Sequence, residues 1–366
     1  MNIRETKRVA IVMAGGNNPK FWPRSTEKNP KPFQHYIGEG TMIQNTINRI
    51  LPVFKPEDIF IVLKDTHKDL AIKQLPFIPK ENFILEPFPR NTAVCIALSA
   101  TIVQQYYSQD TIMTILPSDH YITSIVEFHN SLNIASEVAS IQKGIVTIGL
   151  TPTRAETAFG YIQIEEKSDG IEEFYSQGVR YSKTFAEKPD EDTARRFIQS
   201  GDFFWNSGIF SIRIDVFWQA FFKFLPDHYR LFILLKSHLG KLSYKGILEY
   251  IYMQMQAESI DYAILEKIDN VFVVVSSFGW SDLSSWDELY RLSLKDARNN
   301  FIEGDVIALN VSNSIISALH KPLAISGVDN MIVIDSEDST LICKRNKGND
   351  VKELVDFMKR KHIGYL

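Results

Sequence analysis

Continuous apolar runs alternate with helical segments through the first half of the chain, and this alternation restricts the fold more than any other feature. Such runs of strand length occupy residues 9–14, 59–63, 112–116 and 145–150. Helical patterns fill the intervals, at about residues 42–51, 66–74, 92–107 and 128–142. Buried strands separated by helices are typical of an α/β fold with a mostly parallel sheet covered on both faces. Ligands of such sheets bind beyond the carboxyl ends of the strands.

The second half of the chain has a different pattern. Residues 151–290 mix helical and strand patterns, and the polar stretch 293–304 is typical of a linker. Short apolar runs then follow one another too closely for intervening helices, at residues 306–311, 322–328, 330–335 and 339–343. This spacing predicts an all-β unit with short turns, and helical spacing over residues 350–362 predicts a final helix. We therefore predict two domains, residues 1–290 and 291–366.

Composition excludes several classes of protein. The chain has 366 residues and a formal net charge of −4, which argues against a nucleic-acid partner because such binders carry a basic surface. Cys95 and Cys343 lie in apolar runs and are expected to be buried thiols in a reducing compartment. The start lacks a signal-peptide pattern, and no apolar stretch reaches the roughly 18 residues of a membrane-spanning helix. We expect a cytoplasmic protein with no membrane partner.

A glycine-containing loop follows the first strand. Gly15 and Gly16 would let backbone N–H groups approach phosphate oxygens without obstruction by a Cβ atom. Lys20 and Lys31, further along the loop, would supply positive charge for a polyphosphate. On these residues alone, a proline-rich surface loop is an equally good interpretation.

The loop resembles that of the sugar nucleotidylyltransferases, in particular the mannose-1-phosphate guanylyltransferase branch. The matching positions are Gly15, Gly16, Trp22, Pro23, Ser25, Pro30, Lys31 and Phe33. Asn18 stands where the family has a third glycine and Lys20 where it has an arginine, with Pro19 between them. Asparagine adds bulk, lysine lacks the bidentate fork of arginine, and proline removes a backbone donor. These departures predict a loop that still binds but turns over less well.

Further blocks match the family in order and at compatible spacing. They contain Glu86 with Arg90-Asn91-Thr92, Ser118-Asp119, Gly160, Glu187-Lys188, Asn206, Asp261 with Glu266, and Asp282 with Ser284, which replaces a family glycine. Each block has a structural alternative: Asn91 or Thr92 as a helix N-cap, Asp119 as a turn cap, Glu187-Lys188 as a solvated ion pair. The order of the blocks favours the functional interpretation.

The resemblance implies a Rossmann-like mixed sheet in a nucleotidyltransferase domain and a small left-handed β-helix-like C-terminal domain. It implies transfer of a guanylyl group from GTP to mannose 1-phosphate, giving GDP-mannose and pyrophosphate. Asp119 and Asp282 would hold Mg²⁺, and Lys20, Lys31 and Lys188 would act on the phosphates. The implied nucleotide contacts are Gly15, Gly16, Asn18, Arg90, Asn91, Thr92 and Ser118, and the implied sugar contacts are Gly160, Glu187, Asn206 and Asp261. Family members often pair, so the resemblance is compatible with a homodimer.

Other interpretations stay open. A non-catalytic nucleotide-sugar-binding paralogue or regulatory subunit would explain Asn18, Pro19 and Lys20, and a nucleotidylyltransferase for another sugar 1-phosphate would keep the reaction class. A Rossmann-type dehydrogenase is disfavoured, because the loop lacks the third glycine and the other blocks would be unexplained.

Overall fold

A computed structural model describes residues 6–16 and 18–364 of the chain. Its strands are β1 Arg8–Met13, β2 Ile59–Lys64, β3 Phe83–Glu86, β4 Ile112–Pro117, β5 Tyr121–Ile122, β6 Ile145–Leu150, β7 Gly160–Glu165, β8 Val179–Glu187, β9 Phe203–Arg213, β10 Val271–Ser276, β11 Trp280–Ser281, β12 Phe301–Leu309, β13 Ile315–Ser326, β14 Met331–Asp335 and β15 Thr340–Lys344. Its α-helices are α1 Met42–Ile50, α2 Lys68–Gln74, α3 Asn91–Val103, α4 Ile125–Gln142, α5 Glu172–Tyr175, α6 Glu191–Ser200, α7 Ile214–Phe224, α8 Pro226–Lys236, α9 Tyr244–Gln254, α10 Trp286–Leu292 and α11 Gly348–Arg360. No helix of this described part is long and apolar enough to span a lipid bilayer.

The chain divides into two compact units that are interleaved in sequence. The sheet unit contains residues 6–15, 48–118 and 122–280. The coil unit contains residues 16–47, 119–121 and 281–364. The predicted domain boundary between residues 290 and 291 stays a prediction, because the compact units follow spatial contacts and draw early residues into the coil unit.

The sheet unit is built on a nine-stranded sheet in the order β3-β2-β1-β4-β9-β6-β10-β8-β7. Strands β3, β2, β1 and β4 are mutually parallel, as are β6 and β10. Strand β9 runs antiparallel to both of its neighbours, β4 and β6. The expected parallel pairing therefore holds for the first half of the chain, and the sheet as a whole is mixed.

Helices cover both faces of this sheet, as the apolar runs predict. On one face α3 packs with α7, α8 and α9, and nearly every residue of α3 is buried, which explains why its sequence has no polar side. On the other face Ala135, Val138 and Ala139 of α4 pack against Val146 and Phe272 of the sheet. Burying a parallel sheet on both faces removes its apolar side chains from water and is the main source of its stability.

The coil unit contains a four-stranded arrangement in the order β12-β13-β14-β15. Strands β12, β13 and β14 are parallel, with Phe301 opposite Ile315 and Ile315 opposite Ile332. The chain passes from one parallel strand to the next through a few residues and no helix, so it coils with one strand in each turn. This confirms the predicted all-β unit with a β-helix-like path, closed by α11.

Two boundaries in the coil unit were predicted wrongly. The stretch 293–304 was expected to be a linker, but β12 already begins at Phe301. The buried residues Ile315–Ala318 form the first part of β13, ahead of the run expected at 322–328. Polar residues interrupt both segments: β12 is largely exposed, and Ser317, His320 and Lys321 stand between the apolar residues of β13. A pattern of continuous apolar residues misses such strands.

Candidate functional site

A buried lysine connects two aspartates in the coil unit. The Lys31 side chain is 1% exposed, and its Nζ lies 2.7 Å from Asp119 Oδ2 and 2.8 Å from the carbonyl oxygen of Asp282. A third, longer contact of 3.5 Å joins Nζ to the carbonyl oxygen of Asp119. All three donors of the ammonium thus face acceptors on the two segments that carry the predicted metal ligands.

The two carboxyl groups differ in electrostatic environment. Burial raises the pKa of Asp119, but the positive charges of Lys31 and His120 outweigh it, so its pKa lies below the usual range. Burial raises the pKa of Asp282 to about 6, and the negative charges of Asp119 and Glu288 add to that effect. A cation placed beside both groups would relieve the repulsion between them.

The donor set fits a magnesium ion bound together with a phosphorylated ligand. Asp282 Oδ1 is buried and accepts no hydrogen bond from the described residues. Over residues 6–16 and 18–364, no group of three or more histidine, cysteine, aspartate or glutamate side chains is arranged to hold a metal ion. Mg²⁺ is commonly held by one or two carboxylates, with the remaining positions filled by water and substrate phosphates. Two aspartates, one of them with an unused oxygen, meet that requirement.

The predicted phosphate loop has an unexpected local structure. Gly16 is exposed, and a Cβ added there would meet no described atom within 4 Å, so the surrounding protein does not require a glycine. Asn18 has a φ of −79° and caps a short 3₁₀ helix, Pro19–Phe21, by accepting the Lys20 N–H at 3.1 Å. Asn18 Nδ2 also donates to the carbonyl oxygen of Ser284 at 2.9 Å. Asn18 therefore does not adopt the left-handed geometry in which asparagine commonly replaces glycine.

Glu86 and Arg90, which belong to one matching block, take part in a polar network in the sheet unit. Glu86 is 4% exposed and accepts the Tyr252 hydroxyl at 3.0 Å, and Arg90 Nε donates to the Tyr252 carbonyl at 2.7 Å. Burial raises the pKa of Glu86 to about 7. A Cβ added at Gly15 would lie 3.6 Å from Glu86 Oε2, which places this carboxyl group beside the start of the loop.

The N-cap of α3 differs from the prediction. Arg90, not Asn91 or Thr92, is the capping position, and its side chain makes no capping hydrogen bond. Thr92 instead accepts the N–H of Ile260 at 2.9 Å, and Asn91 has a φ of +66°. Thr92 therefore fastens the segment leading to Asp261. Ser118 is buried at the end of β4, where its N–H donates to the carbonyl oxygen of Met13.

The predicted sugar contacts lie together in the sheet unit. Asn206 Nδ2 donates to Asp261 Oδ1 at 2.9 Å, and Ser259 donates to the other oxygen of Asp261 at 2.8 Å. Glu187 lies opposite Gly160 across the β7–β8 pair. A Cβ added at Gly160 would fall 2.3 Å from Glu187 Oε2 and 3.4 Å from Asn206 Cβ, so these three residues adjoin.

Lys188 and Glu266 extend this group. Lys188 Nζ contacts Glu187 Oε1 at 2.7 Å, and this hydrogen bond raises the lysine pKa. Burial raises the pKa of Glu266, and the negative charges of Glu187 and Asp261 raise it further. Three carboxyl groups and one partly exposed ammonium group thus share one region, a combination suited to binding hydroxyl groups and a phosphate.

Comparison with known proteins shows the family of the chain. A family described as nucleotidyl transferase matches residues 9–299, and the MannoseP isomerase/GMP-like beta-helix domain matches residues 304–358. A mannose-1-phosphate guanylyltransferase of Salmonella muenchen is 34% identical over 97% of this chain and 74% of its own length. The chain belongs to the mannose-1-phosphate guanylyltransferase family. Another member, mannose-1-phosphate guanylyltransferase 2 of Escherichia coli O157:H7, is 33% identical over 96% of this chain and 73% of its own length.

Solved structures support the membership of this family. One from Thermus thermophilus, described as a mannose-1-phosphate geranyltransferase, has a TM-score of 0.84 and 28% identity, and the match covers 97% of this chain and 100% of that one. A mannose-6-phosphate isomerase from Helicobacter pylori has a TM-score of 0.60 and 25% identity, covering 75% of this chain and 99% of that one. The fold described above is thus shared, over nearly its whole length, with a solved relative.

Sequence reasoning missed two residues that organise these groups. Tyr252 lies in a helix with an ordinary apolar pattern, and nothing in the sequence shows that its hydroxyl reaches Glu86. Ser284 attracts notice only as a departure from a family glycine, yet its carbonyl oxygen accepts a hydrogen bond from Asn18 Nδ2 at 2.9 Å. The roles of all predicted residues toward a substrate stay predictions, because these contacts are all within the protein.

Proposed function

We propose that this chain transfers a guanylyl group from GTP to mannose 1-phosphate, forming GDP-mannose and releasing pyrophosphate. The family membership supports the reaction class and the two substrates. The single structural observation that carries the proposal is the Lys31–Asp119–Asp282 arrangement. One fully buried ammonium binds the Asp119 carboxylate and the backbone carbonyl of Asp282, and so joins the two segments whose carboxyl groups would hold a cation. A protein that only recognises a nucleotide sugar has no need of such a charged, buried assembly.

The chemistry is an attack by a phosphate oxygen of mannose 1-phosphate on the α-phosphorus of GTP. The nucleophile is already an anion at neutral pH, so no covalent protein nucleophile is required, and the main obstacle is repulsion between two anionic substrates. Mg²⁺ held by Asp119 and Asp282 would supply neutralising charge at the phosphates. Lys31 fixes both aspartate segments, and Lys20, which forms no ion pair with any described residue, is available for the triphosphate.

The acceptor sugar phosphate would be held by Glu187, Lys188, Asn206 and Asp261 of the sheet unit. Glu187 and Asp261 present carboxylate oxygens that accept from hydroxyl groups, and Asn206 is oriented by Asp261. Lys188 supplies the positive charge for the sugar phosphate, and its 59% exposed side chain can leave Glu187 at little cost. Positioning of this kind lowers a barrier by making the attack effectively unimolecular.

The proposal is tested by measuring pyrophosphate release from the purified chain with GTP, mannose 1-phosphate and Mg²⁺. We expect turnover that EDTA abolishes and added Mg²⁺ restores. ATP, UTP and glucose 1-phosphate, tested in parallel, should give rates at least tenfold lower. Binding of GDP-mannose without any turnover would contradict the proposal and support a regulatory subunit. Preference for another nucleotide and sugar pair would retain the reaction class and reject the named substrates.

We propose a reducing, cytoplasmic location as well. Both cysteines are free thiols, Cys95 buried and Cys343 partly buried. Burial raises the pKa of Cys95, which keeps that thiol unreactive.

A further inference from the structure

Two positions that depart from the family glycines are joined to each other. Asn18 replaces the third glycine of the loop and Ser284 replaces the glycine after the second metal aspartate, and Asn18 Nδ2 donates to Ser284 O at 2.9 Å. Both residues belong to the coil unit. One hydrogen bond therefore ties the phosphate loop to the segment that carries Asp282.

Both polar atoms of the Asn18 side chain form hydrogen bonds. Its Oδ1 accepts the Lys20 N–H at 3.1 Å, and its Nδ2 reaches Ser284, so the two polar atoms of the amide already have partners. The residue is partly buried and has an extended backbone conformation. These contacts orient the amide toward residue 284 and leave one N–H of Nδ2 and one lone pair of Oδ1 for any other partner.

The segment around Asp282 needs external support. Leu283 has a φ of +43°, a left-handed conformation that a leucine adopts only when its surroundings hold it there. Its side chain is fully buried in the core of the coil unit with Phe21 and Trp286. Its N–H donates to Ser281 Oγ at 3.0 Å.

A second contact holds the backbone of Asp282 itself. Lys31 Nζ donates to its carbonyl oxygen at 2.8 Å. Asn18 bonds to the carbonyl oxygen of Ser284 on the other side of Leu283. The short segment that presents the Asp282 carboxylate is thus held at both ends.

We propose that Asn18 is a positioning residue that fixes the Asp282 carboxylate for the metal by holding Ser284, and that it is not a phosphate contact. The inference rests on the proposed function insofar as Asp282 is a metal ligand. Groups that orient metal ligands typically affect metal affinity by about 10- to 100-fold.

The test uses Asn18→Ser in the full chain. Serine caps a helix about as well as asparagine, so the Lys20 N–H keeps an acceptor, but serine is too short to reach Ser284. Mn²⁺, a paramagnetic substitute for Mg²⁺, is titrated by electron paramagnetic resonance with and without GTP. We expect Asn18→Ser to raise the half-saturating Mn²⁺ concentration about tenfold. The KM for mannose 1-phosphate at saturating metal should stay within twofold of the native value. Asn29→Ser, an exposed change in the same loop, is the matched control.

A second measurement separates positioning from general loosening of the loop. In an Asp282→Asn background the metal ligand is already lost, so adding Asn18→Ser should change Mn²⁺ binding by less than twofold, because the two changes act on one interaction.

Additive losses of Mn²⁺ affinity in the double variant would overturn the proposal. So would native-like Mn²⁺ binding by Asn18→Ser, particularly with a raised KM for GTP, which is the result that a phosphate contact predicts. Absence of Mn²⁺ binding by the native chain, with and without GTP, would overturn it too. Native Mn²⁺ binding without pyrophosphate release would contradict the proposed function and leave the Asn18 comparison valid.

Discussion

At the scale of single residues, the decisive feature is an ammonium group with almost no contact with water. Lys31 is 1% exposed, and a buried cation is tolerated only when its donors are satisfied and an opposite charge is near. Asp119 supplies that charge, and its own side chain remains 29% exposed. The asymmetry means that the lysine depends on the aspartate more than the aspartate depends on the lysine.

Asp119→Asn should therefore destabilise the chain more than Lys31→Met does. Removing Asp119 leaves an uncompensated buried ammonium, at a cost of about 3 kcal/mol, whereas removing Lys31 leaves a carboxylate that water can still reach. The double variant should be within about 1 kcal/mol of Lys31→Met, because the unpaired charge is gone. Urea denaturation of the four proteins measures this, and additive losses in the double variant would contradict it. All three variants should lose pyrophosphate release.

Glu86 predicts a pH dependence of stability. Burial raises its folded-state pKa from 4.5 to about 7, so between these values the unfolded chain ionises while the folded chain keeps its proton. The contribution of Glu86 to the free energy of unfolding is therefore largest below pH 4.5 and decreases as pH rises. Above pH 7 the free energy of unfolding is lower by about 3 kcal/mol than below pH 4.5.

Glu86→Gln, which cannot ionise, should gain about 3 kcal/mol relative to the native chain between pH 4.5 and pH 8. Urea unfolding without ligand at several pH values measures this difference. Glu81→Gln, an exposed neighbour, should show no such trend. A constant difference between Glu86→Gln and the native chain at all pH values would mean that Glu86 is not buried as described.

Residue types could be predicted from the sequence, but their partners could not. The blocks carrying Asp119, Glu187, Asn206 and Asp282 were identified because they resemble the motifs of a known family, in the same order. That Lys31 contacts Asp119 depends on a fold that brings positions 31 and 119 together, and no local pattern encodes that distance. Tyr252 was missed for the same reason, since its hydroxyl bond to Glu86 spans 166 positions.

At the scale of elements, the register of the β7–β8 pair positions Glu187, one of the predicted sugar contacts. The register places Gly160 opposite Glu187, and the space that a Cβ would need at position 160 is occupied by the Glu187 carboxylate. The obstructing atom is the end of a flexible side chain, so a substitution would displace Glu187 and leave the strand pairing intact.

Gly160→Ala should raise the KM for mannose 1-phosphate about tenfold, with the KM for GTP within twofold of the native value, because Glu187 would rotate away from its present position. Steady-state kinetics with each substrate varied in turn would show this. Gly246→Ala is the control, since an alanine Cβ in α9 would meet no described atom within 4 Å. Equal changes in both KM values would indicate a general disturbance of the sheet.

Elements that are buried throughout were predicted well, and half-exposed ones poorly. Strands β1, β2, β4 and β6 are mostly apolar and are buried over nearly their whole length, so a search for continuous apolar runs identifies them. Strand β12 is mostly exposed and gains its stability from backbone hydrogen bonds to β13, which leave little trace in composition. Strand β9 runs antiparallel to its neighbours β4 and β6, although the other apolar strands of the first half of the chain indicate a parallel sheet. The direction of a strand depends on how the chain connects it to the previous one, and residue types do not reveal it.

At the scale of the whole molecule, the coil unit has one core drawn from both ends of the sequence. Phe21, Trp22 and Tyr36 from the loop pack with Ile315, Ile332 and Leu341 of the strands and Val351 and Val355 of α11. The predicted domain 1–290 would therefore lack the partners that bury its own loop. A core of this kind cannot be divided at a single point in the chain.

A chain truncated after residue 290 should lose protection from hydrogen exchange over residues 19–25, where the N–H groups of Lys20, Phe21, Trp22 and Ser25 are hydrogen-bonded in the full chain. It should keep protection in β1 and β4. Mass spectrometry of peptides from both regions measures this. A matched pair of substitutions in β15 gives the same answer in the full chain: Leu341→Ser, at a 3% exposed position, should reduce protection of residues 19–25, and Ile342→Ser, 65% exposed, should not. Full protection in the truncated chain would show that residues 16–47 fold without the C-terminal strands.

The shared core of the coil unit also has a consequence during synthesis. Phe21 and Trp22 are translated long before Val351 and Val355, which help to cover them. Segments are translated in order, and contacts between distant positions form slowly because a long loop must close. The core that supports the carboxylates at 119 and 282 is therefore completed only after β15 and α11 have been translated. Until then, a nascent chain of this protein should expose the aromatic side chains of Phe21 and Trp22, and this exposure should favour chaperone binding.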